Sequence, residues 1–376
     1  MQFSKIMVLL ISTIFCGAIF VDCTSGGFAP GSPLYFLYVA DNGSSPGIYT
    51  YAINSTTGAL NQIAGSPFLA GTVPLTAAAD PTGQFLYETD FGMTKGIYEY
   101  TINYLLGALT QISSSPITST SAGAIVPYPL GRFVFVGVSG GPGKGMYSYA
   151  INYSTGGLTQ VAGSPFGSST GPNGIAIDAG GKFIYWISSG RIYGYTINSS
   201  TGTLASITGS PFSAGTTSNA IAIDPLTRFL YETDSGGSPG IYAYTINYTT
   251  GALTPVAGNP ISLGATPYYG LVVDPTGHFV YVASGQPGIY AYTINQVTGA
   301  LSLVSGSPFT SLDPSKLAVD PNGRFLYASD PVVNGIDGYN INSTTGALSL
   351  IPGSPFPGGT VPDGLNTVKI PQPRYP

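Results

Sequence analysis

Three glutamates, one histidine and eleven lysines and arginines carry most of the chemistry this chain can offer. Glu88 and Glu232 share one local context, Phe-Leu-Tyr-Glu-Thr-Asp, at 85–90 and 229–234. Glu99 follows Glu88 closely enough that a hairpin over this span is expected to set the two carboxylates side by side. The same pairing applied to the related stretch at 183–197 puts Trp186 opposite Gly194, a large–small match. Adjacent carboxylates repel, and one titrates high when both are sheltered. Such a pair suits acid–base catalysis or cation binding, whereas at a strand end near water the glutamates are ordinary polar residues. Glu88 and Glu99 are therefore the catalytic candidates if the protein is a hydrolase. Lys95, Lys144 and Arg191 lie in variable segments and could receive an anionic ligand, with Glu232 as a further ligand-binding candidate. Scattered solubilising charge explains the three cations about as well.

His278, the only histidine, invites a reading as general base. It occupies the place held elsewhere by Arg132, Lys182, Arg228 and Arg324, straight after Asp-Pro-x-Gly-like turns, and is expected to cap a turn. Both cysteines lie within the first 23 residues. With one histidine and no cysteine beyond them, no metal site is expected, and no other cofactor either.

These residues are set in an unusual composition. Only 7% of the 376 residues are charged, against roughly a quarter in ordinary soluble domains. Glycine (53), proline (31) and tyrosine (27) are abundant, and 43% of the chain is hydrophobic. That excludes helical bundles, and the aromatic content argues against disorder. A net charge of −5 with few cations makes nucleic acid an improbable partner.

The chain repeats itself. A Phe-Leu-Tyr-like segment recurs at Phe36, Phe85, Phe133, Phe183, Phe229, Phe279 and Phe325. Each is followed by a run resembling Gly-Ile-Tyr-x-Tyr-x-Ile-Asn, a turn closed by glycine, a Leu-containing run and a Gly-Ser-Pro-Phe-like break. Four strand candidates per unit, rich in Tyr, Phe, Ile and Val and bounded by Gly, Pro, Asn and Asp, predict an all-β, seven-bladed β-propeller of four-stranded blades. The first copy lacks its innermost strand and the chain closes with a spare one at Gly364–Ile370, so the C-terminal strand is expected to join the N-terminal blade. Asn54 and its six counterparts, and Asp80, Asp224, Asp274 and Asp320, read as turn residues. The repeated asparagine sequons are explained by that role.

Residues 1–23 read as a secretory signal, with a lipid on Cys23 as a variant; 24–33 as a linker, 34–370 as the propeller and 371–376 as a tail. An extracytoplasmic location follows: secreted, periplasmic or cell-surface. The only expected route to a membrane is that lipid.

Phe-Leu-Tyr-Val-Ala-Asp at 36–41, Ile-Asp-Pro and Val-Asp-Pro at 223–225 and 319–321, and Thr-Gly-Ala-Leu at 57–60 resemble the seven-bladed propellers of the lactonase, or YVTN-repeat, family. The resemblance spans about residues 34–370 and implies the propeller fold. For activity it implies opening of lactones such as 6-phosphogluconolactone; from this chain's own residues, Glu88 or Glu99 would then activate water and Lys144 or Arg191 steady the anion. The residues themselves favour a different first expectation: an exported or surface-attached scaffold that binds a small molecule, carbohydrate or protein through its variable-loop rim. Lactone hydrolysis is the alternative.

Overall fold

The computed structural model describes residues 34–371, apart from Thr94, 119–120, Pro142, 168–170 and 264–269. The expected signal over 1–23, the linker over 24–33, Cys23 and most of the tail lie outside the described residues.

Seven antiparallel sheets form a propeller. In the second blade the strands run outward from the axis as Pro74–Ala79, Phe85–Asp90, Gly96–Ile102 and Leu109–Gln111. The Gly-Ser-Pro-Phe break that follows returns to the start of the third strand, as a two-residue strand in five blades and as a single bridge, Ile48↔Phe68 or Met146↔Phe166, in the first and third. The ring closes as the repeats require. Leu34–Asp41 pairs with Pro362–Ile370 from Leu34↔Ile370 to Asp41↔Pro362, with a bulge at Ala40/Asp41. Closure pairs the inner edge of Leu34–Asp41, which the first blade would otherwise leave open.

The core lies between blades. Second strands such as Phe85–Asp90 are buried at every residue, because each sheet is sandwiched by two neighbours. The Phe-Leu-Tyr motif has two physical jobs. Its tyrosine hydroxyl donates to the turn-glycine carbonyl of the following blade: Tyr38 to Gly107, Tyr87 to Gly156, Tyr185 to Gly251, Tyr231 to Gly299, Tyr281 to Gly346 and, across the closure, Tyr327 to Gly58 at 2.7 Å. The third blade has Phe135 there and no such hydroxyl. The motif's phenylalanine packs under the same turn. A Cβ on Gly107 would stand 2.4 Å from the Phe36 ring, and its φ is +69°, so only glycine fits.

The two turn types behave as expected. Asn54 Oδ1 accepts the N–H groups of Thr56 (2.9 Å) and Thr57 (3.0 Å), and Asp80 Oδ1 accepts those of Gln84 (2.9 Å) and Phe85 (2.8 Å). His278 sits in such a turn. Its N–H donates to Asp274 Oδ1 at 2.8 Å and its Nδ1 meets Thr276 Oγ1 at 2.9 Å.

Candidate functional site

The expected Glu88–Glu99 pair does not form. Asp90↔Gly96 sets the hairpin register, so Glu88 pairs with Tyr98 and Glu99 with Tyr87. In the fourth blade, likewise, Trp186 pairs with Tyr193 and Gly194 with Tyr185. That register comes from a two-residue turn in which Ser189 and Gly190 both have positive φ (51° and 68°). The sequence pairing was one residue out, and a one-residue slip sends a side chain to the opposite face. Glu88 thus faces the first blade and Glu99 the third.

Each glutamate has become part of an interface between blades. Glu99 accepts the Leu158 N–H of the next blade at 2.7 Å and the Ser114 hydroxyl at 3.1 Å. Burial raises its pKa and these two donors pull it back. Glu232 is buried and accepts the Gly215 N–H (2.9 Å) and the Ser218 hydroxyl (2.6 Å), with Tyr244 OH at 3.5 Å. Burial nevertheless pushes its pKa up to about 7. Glu88 occupies the same repeat position, but Pro74 stands where the fifth blade has Ser218. The Gly71 amide faces the carboxylate, yet neither oxygen completes a hydrogen bond among the described residues. Desolvation first and the nearby Asp90 second drive its pKa well above the carboxylate range.

Lys95, Lys144 and Arg191 are exposed on the variable-loop rim. They immediately precede or begin the third strands Gly96–Ile102, Gly145–Ile151 and Arg191–Ile197. At about 4.8 Å per strand spacing, the third strand stands roughly 10 Å outside the innermost one. The Lys95 ammonium lies 5.8 Å from the centre of the Phe91 ring. Arg191 borders an open cavity of about 350 Å³ with Ser213, Ala214 and Gly215.

A second concave site on this rim, sharing Ser189, Gly190 and Thr216 with the first, is on the propeller axis. A cavity of about 610 Å³ opens where the innermost strands begin. Its polar lining includes Thr76, Ser139, Asn173, Ser189, Asn219 and a charged pair, Lys316 and Asp363; Leu75, Phe91 and Pro172 supply apolar wall. Lys316 leads into the innermost strand of the seventh blade, and Asp363 is the second residue of the closing strand. Lys316 Nζ and Asp363 Oδ1 are 3.7 Å apart, each side chain about a quarter exposed (26% and 28%). Asn42 Nδ2 donates to Asp363 Oδ2 at 3.3 Å. Desolvation lowers the Lys316 pKa, against the opposing pull of Asp363.

The loops forming this mouth are pinned from beneath. Asp41, Asp90, Asp234 and Asp330 end the second strands of four blades and are buried. They accept the N–H groups of Val361 (2.5 Å), Val73 (2.5 Å), Thr217 (2.5 Å) and both Leu312 (3.0 Å) and Asp313 (2.9 Å).

Ligand pockets are concave, largely preformed and equipped with a few convergent polar groups. The axial mouth meets that description, and none of Glu88, Glu99, Glu232, Lys95, Lys144 or Arg191 lines it. Sequence reasoning missed Lys316 and Asp363. Lys316 did leave a trace: nine residues before the blade's phenylalanine, five other copies carry Thr76, Ala124, Gly174, Ala220 and Gly270, all small. A lysine there projects a cation where the other blades leave space. Asp363 had no comparable signal, being in a strand whose blade is assembled from both ends of the propeller.

A family model described as "Lactonase, 7-bladed beta-propeller" matches residues 35–211, 186–284 and 270–360. No protein of curated function matches the chain. Among solved structures, a candidate 6-phosphogluconolactonase from Bacteroides uniformis superposes with a TM-score of 0.72 at 19% identity, over 89% of this chain and 99% of that one. The periplasmic gluconolactonase of Pseudomonas aeruginosa gives 0.71 at 16%, over 90% and 100%. A protein from Lactobacillus plantarum gives 0.69 at 17%, over 90% and 100%. At these identities the similarity speaks for the fold.

Proposed function

Since the chain belongs to the lactonase family of seven-bladed β-propellers, we propose that it hydrolyses a lactone in the axial mouth, with Lys316 and Asp363 at the reacting centre. The observation that carries this reading is the facing ammonium and carboxylate, 3.7 Å apart in the one cavity on the axis of the variable-loop rim among those described. Lactone opening needs a base for water and a stabiliser for the oxyanion that forms when water adds to the acyl carbon.

In this reading Asp363 accepts a proton from the attacking water, and the Lys316 ammonium donates to the developing oxyanion. Collapse breaks the ring acyl–oxygen bond. The departing alkoxide takes a proton from Lys316, whose depressed pKa makes it a better acid than a solvated lysine. The proton held by Asp363 passes to Lys316 and restores the pair; the products are a hydroxyl and a carboxylic acid that releases its proton to water, one water having been consumed. Asn173, Asn219 and the mouth's hydroxyls hold the ring substituents.

A binding-only scaffold draws no support from the comparisons, whereas the family and a gluconolactonase of the same fold favour hydrolysis. The leader-like sequence, together with the periplasmic location of that neighbour, supports placing the protein outside the cytoplasm. The test is hydrolysis of glucono-1,5-lactone followed by acid release, corrected for the spontaneous reaction. Asp363→Asn should lower kcat by about 100-fold or more, the usual scale for losing a general base, and Lys316→Ala comparably. Wild-type rates in both variants would remove the pair from the mechanism.

A further inference from the structure

We infer that the axial mouth selects an uncharged, polyhydroxylated lactone over the same lactone carrying a phosphate. The inference rests on the lactonase reading for its ligand class and on the charge layout for its selectivity.

A phosphate dianion leaving water needs direct, charge-assisted donors to repay its desolvation. Lys316 is the one cation lining the mouth among the described residues, and Asp363 already faces it at 3.7 Å. The residues lying between the described stretches include no lysine, arginine or histidine. Lys95 and Lys144 stand outside the mouth. Arg191 is exposed in the adjoining open cavity, where a single solvent-facing ion pair contributes at most a few-fold.

Negative charge surrounds the site. Asp41, Asp90, Asp234 and Asp330 lie beneath the loops that form it, and Asp363 lies in its wall. Oδ2 of Asp41 and of Asp234 finds no hydrogen-bond donor among the described residues. Carboxylates gathered under low-dielectric walls project a negative potential into the opening. An anion is repelled, while a neutral lactone meets hydroxyls, carboxamides and the apolar faces of Leu75 and Phe91. The same field acts on the product. Ring opening creates a carboxylate, so the arrangement that admits the neutral lactone drives its acid out.

The experiment compares glucono-1,5-lactone with its 6-phosphate on the intact protein, at about 10 mM and about 500 mM salt, where the screening length falls from roughly 30 Å to under 10 Å. The expected result is at least a tenfold higher kcat/KM for the neutral lactone at low salt. Raising the salt should increase the value for the phosphate several-fold and leave the neutral lactone unchanged. A preference for the phosphate, or a phosphate rate that falls with salt, overturns the inference and leaves the hydrolase reading standing. A parallel binding measurement uses the non-hydrolysable 1,5-lactam and its 6-phosphate. Tighter binding of the neutral lactam supports the inference even if no turnover is seen, in which case only the hydrolase reading fails. Equal or tighter binding of the phosphate, or binding of neither, overturns it.

Discussion

Replacing Glu232 or Glu88 by glutamine should stabilise the protein at neutral pH and flatten its stability profile, because both glutamates carry folded-state pKa values raised by burial. For Glu232 the folded value is about 7 against an ordinary 4.5. Below pH 4.5 both folded and unfolded states hold the proton, and burial imposes no pH-dependent penalty. Between pH 4.5 and 7 the unfolded chain releases the proton first, so stability falls as pH rises, by about 1.4 kcal/mol per pH unit. By pH 7 the loss sums to about 3 kcal/mol, after which it levels off. Glu232→Gln removes that slope while its amide oxygen can still accept from Gly215 and Ser218. Glu88 lacks the serine partner and neither of its oxygens completes a hydrogen bond among the described residues, so burial gives its profile a slope of the same sign and Glu88→Gln should gain at least as much as Glu232→Gln at neutral pH. Urea unfolding at a series of pH values, followed by fluorescence of the single, fully buried Trp186, measures both. Parallel wild-type and Glu88→Gln profiles from pH 5 to pH 9 would refute the argument. As an internal check, Pro74→Ser should supply Glu88 with the missing hydroxyl and move its profile toward that of Glu232.

Tyr327→Phe removes the hydroxyl that ties the seventh blade to Gly58 of the first; it should cost about 1–2 kcal/mol, read as a lower urea midpoint. Gly107→Ala should cost more, through both its positive φ and the clash with Phe36, and a near-neutral result would contradict the packing described. His278→Ala should leave lactone hydrolysis unchanged and shift stability by less than about 1 kcal/mol, as expected for an exposed turn residue; lost activity would return the imidazole to the mechanism.

The sequence by itself determined the architecture. Blade number, strand order, ring closure and the roles of the recurring Asn, Asp and Gly residues were legible because each follows from contacts repeated seven times around the ring: an Asn capping its own turn, a turn glycine over the preceding blade's phenylalanine, strands that must bury both faces. The lone histidine was legible for the same reason, since its copies elsewhere are turn-capping cations. Tertiary structure alone decided the rest. Hairpin register depends on how many loop residues turn the chain, and one residue placed Glu88 and Glu99 on opposite faces of a blade, turning a catalytic pair into two separate interface carboxylates. The axial pair was equally hidden. Lys316 and Asp363 belong to different blades, and they meet only because closing the ring brings the starts of all the innermost strands around one axis. A repeat tells what each blade is. Which unlike residues from different blades face one another across the centre is set by the closure, and that is where the proposed reacting pair lies.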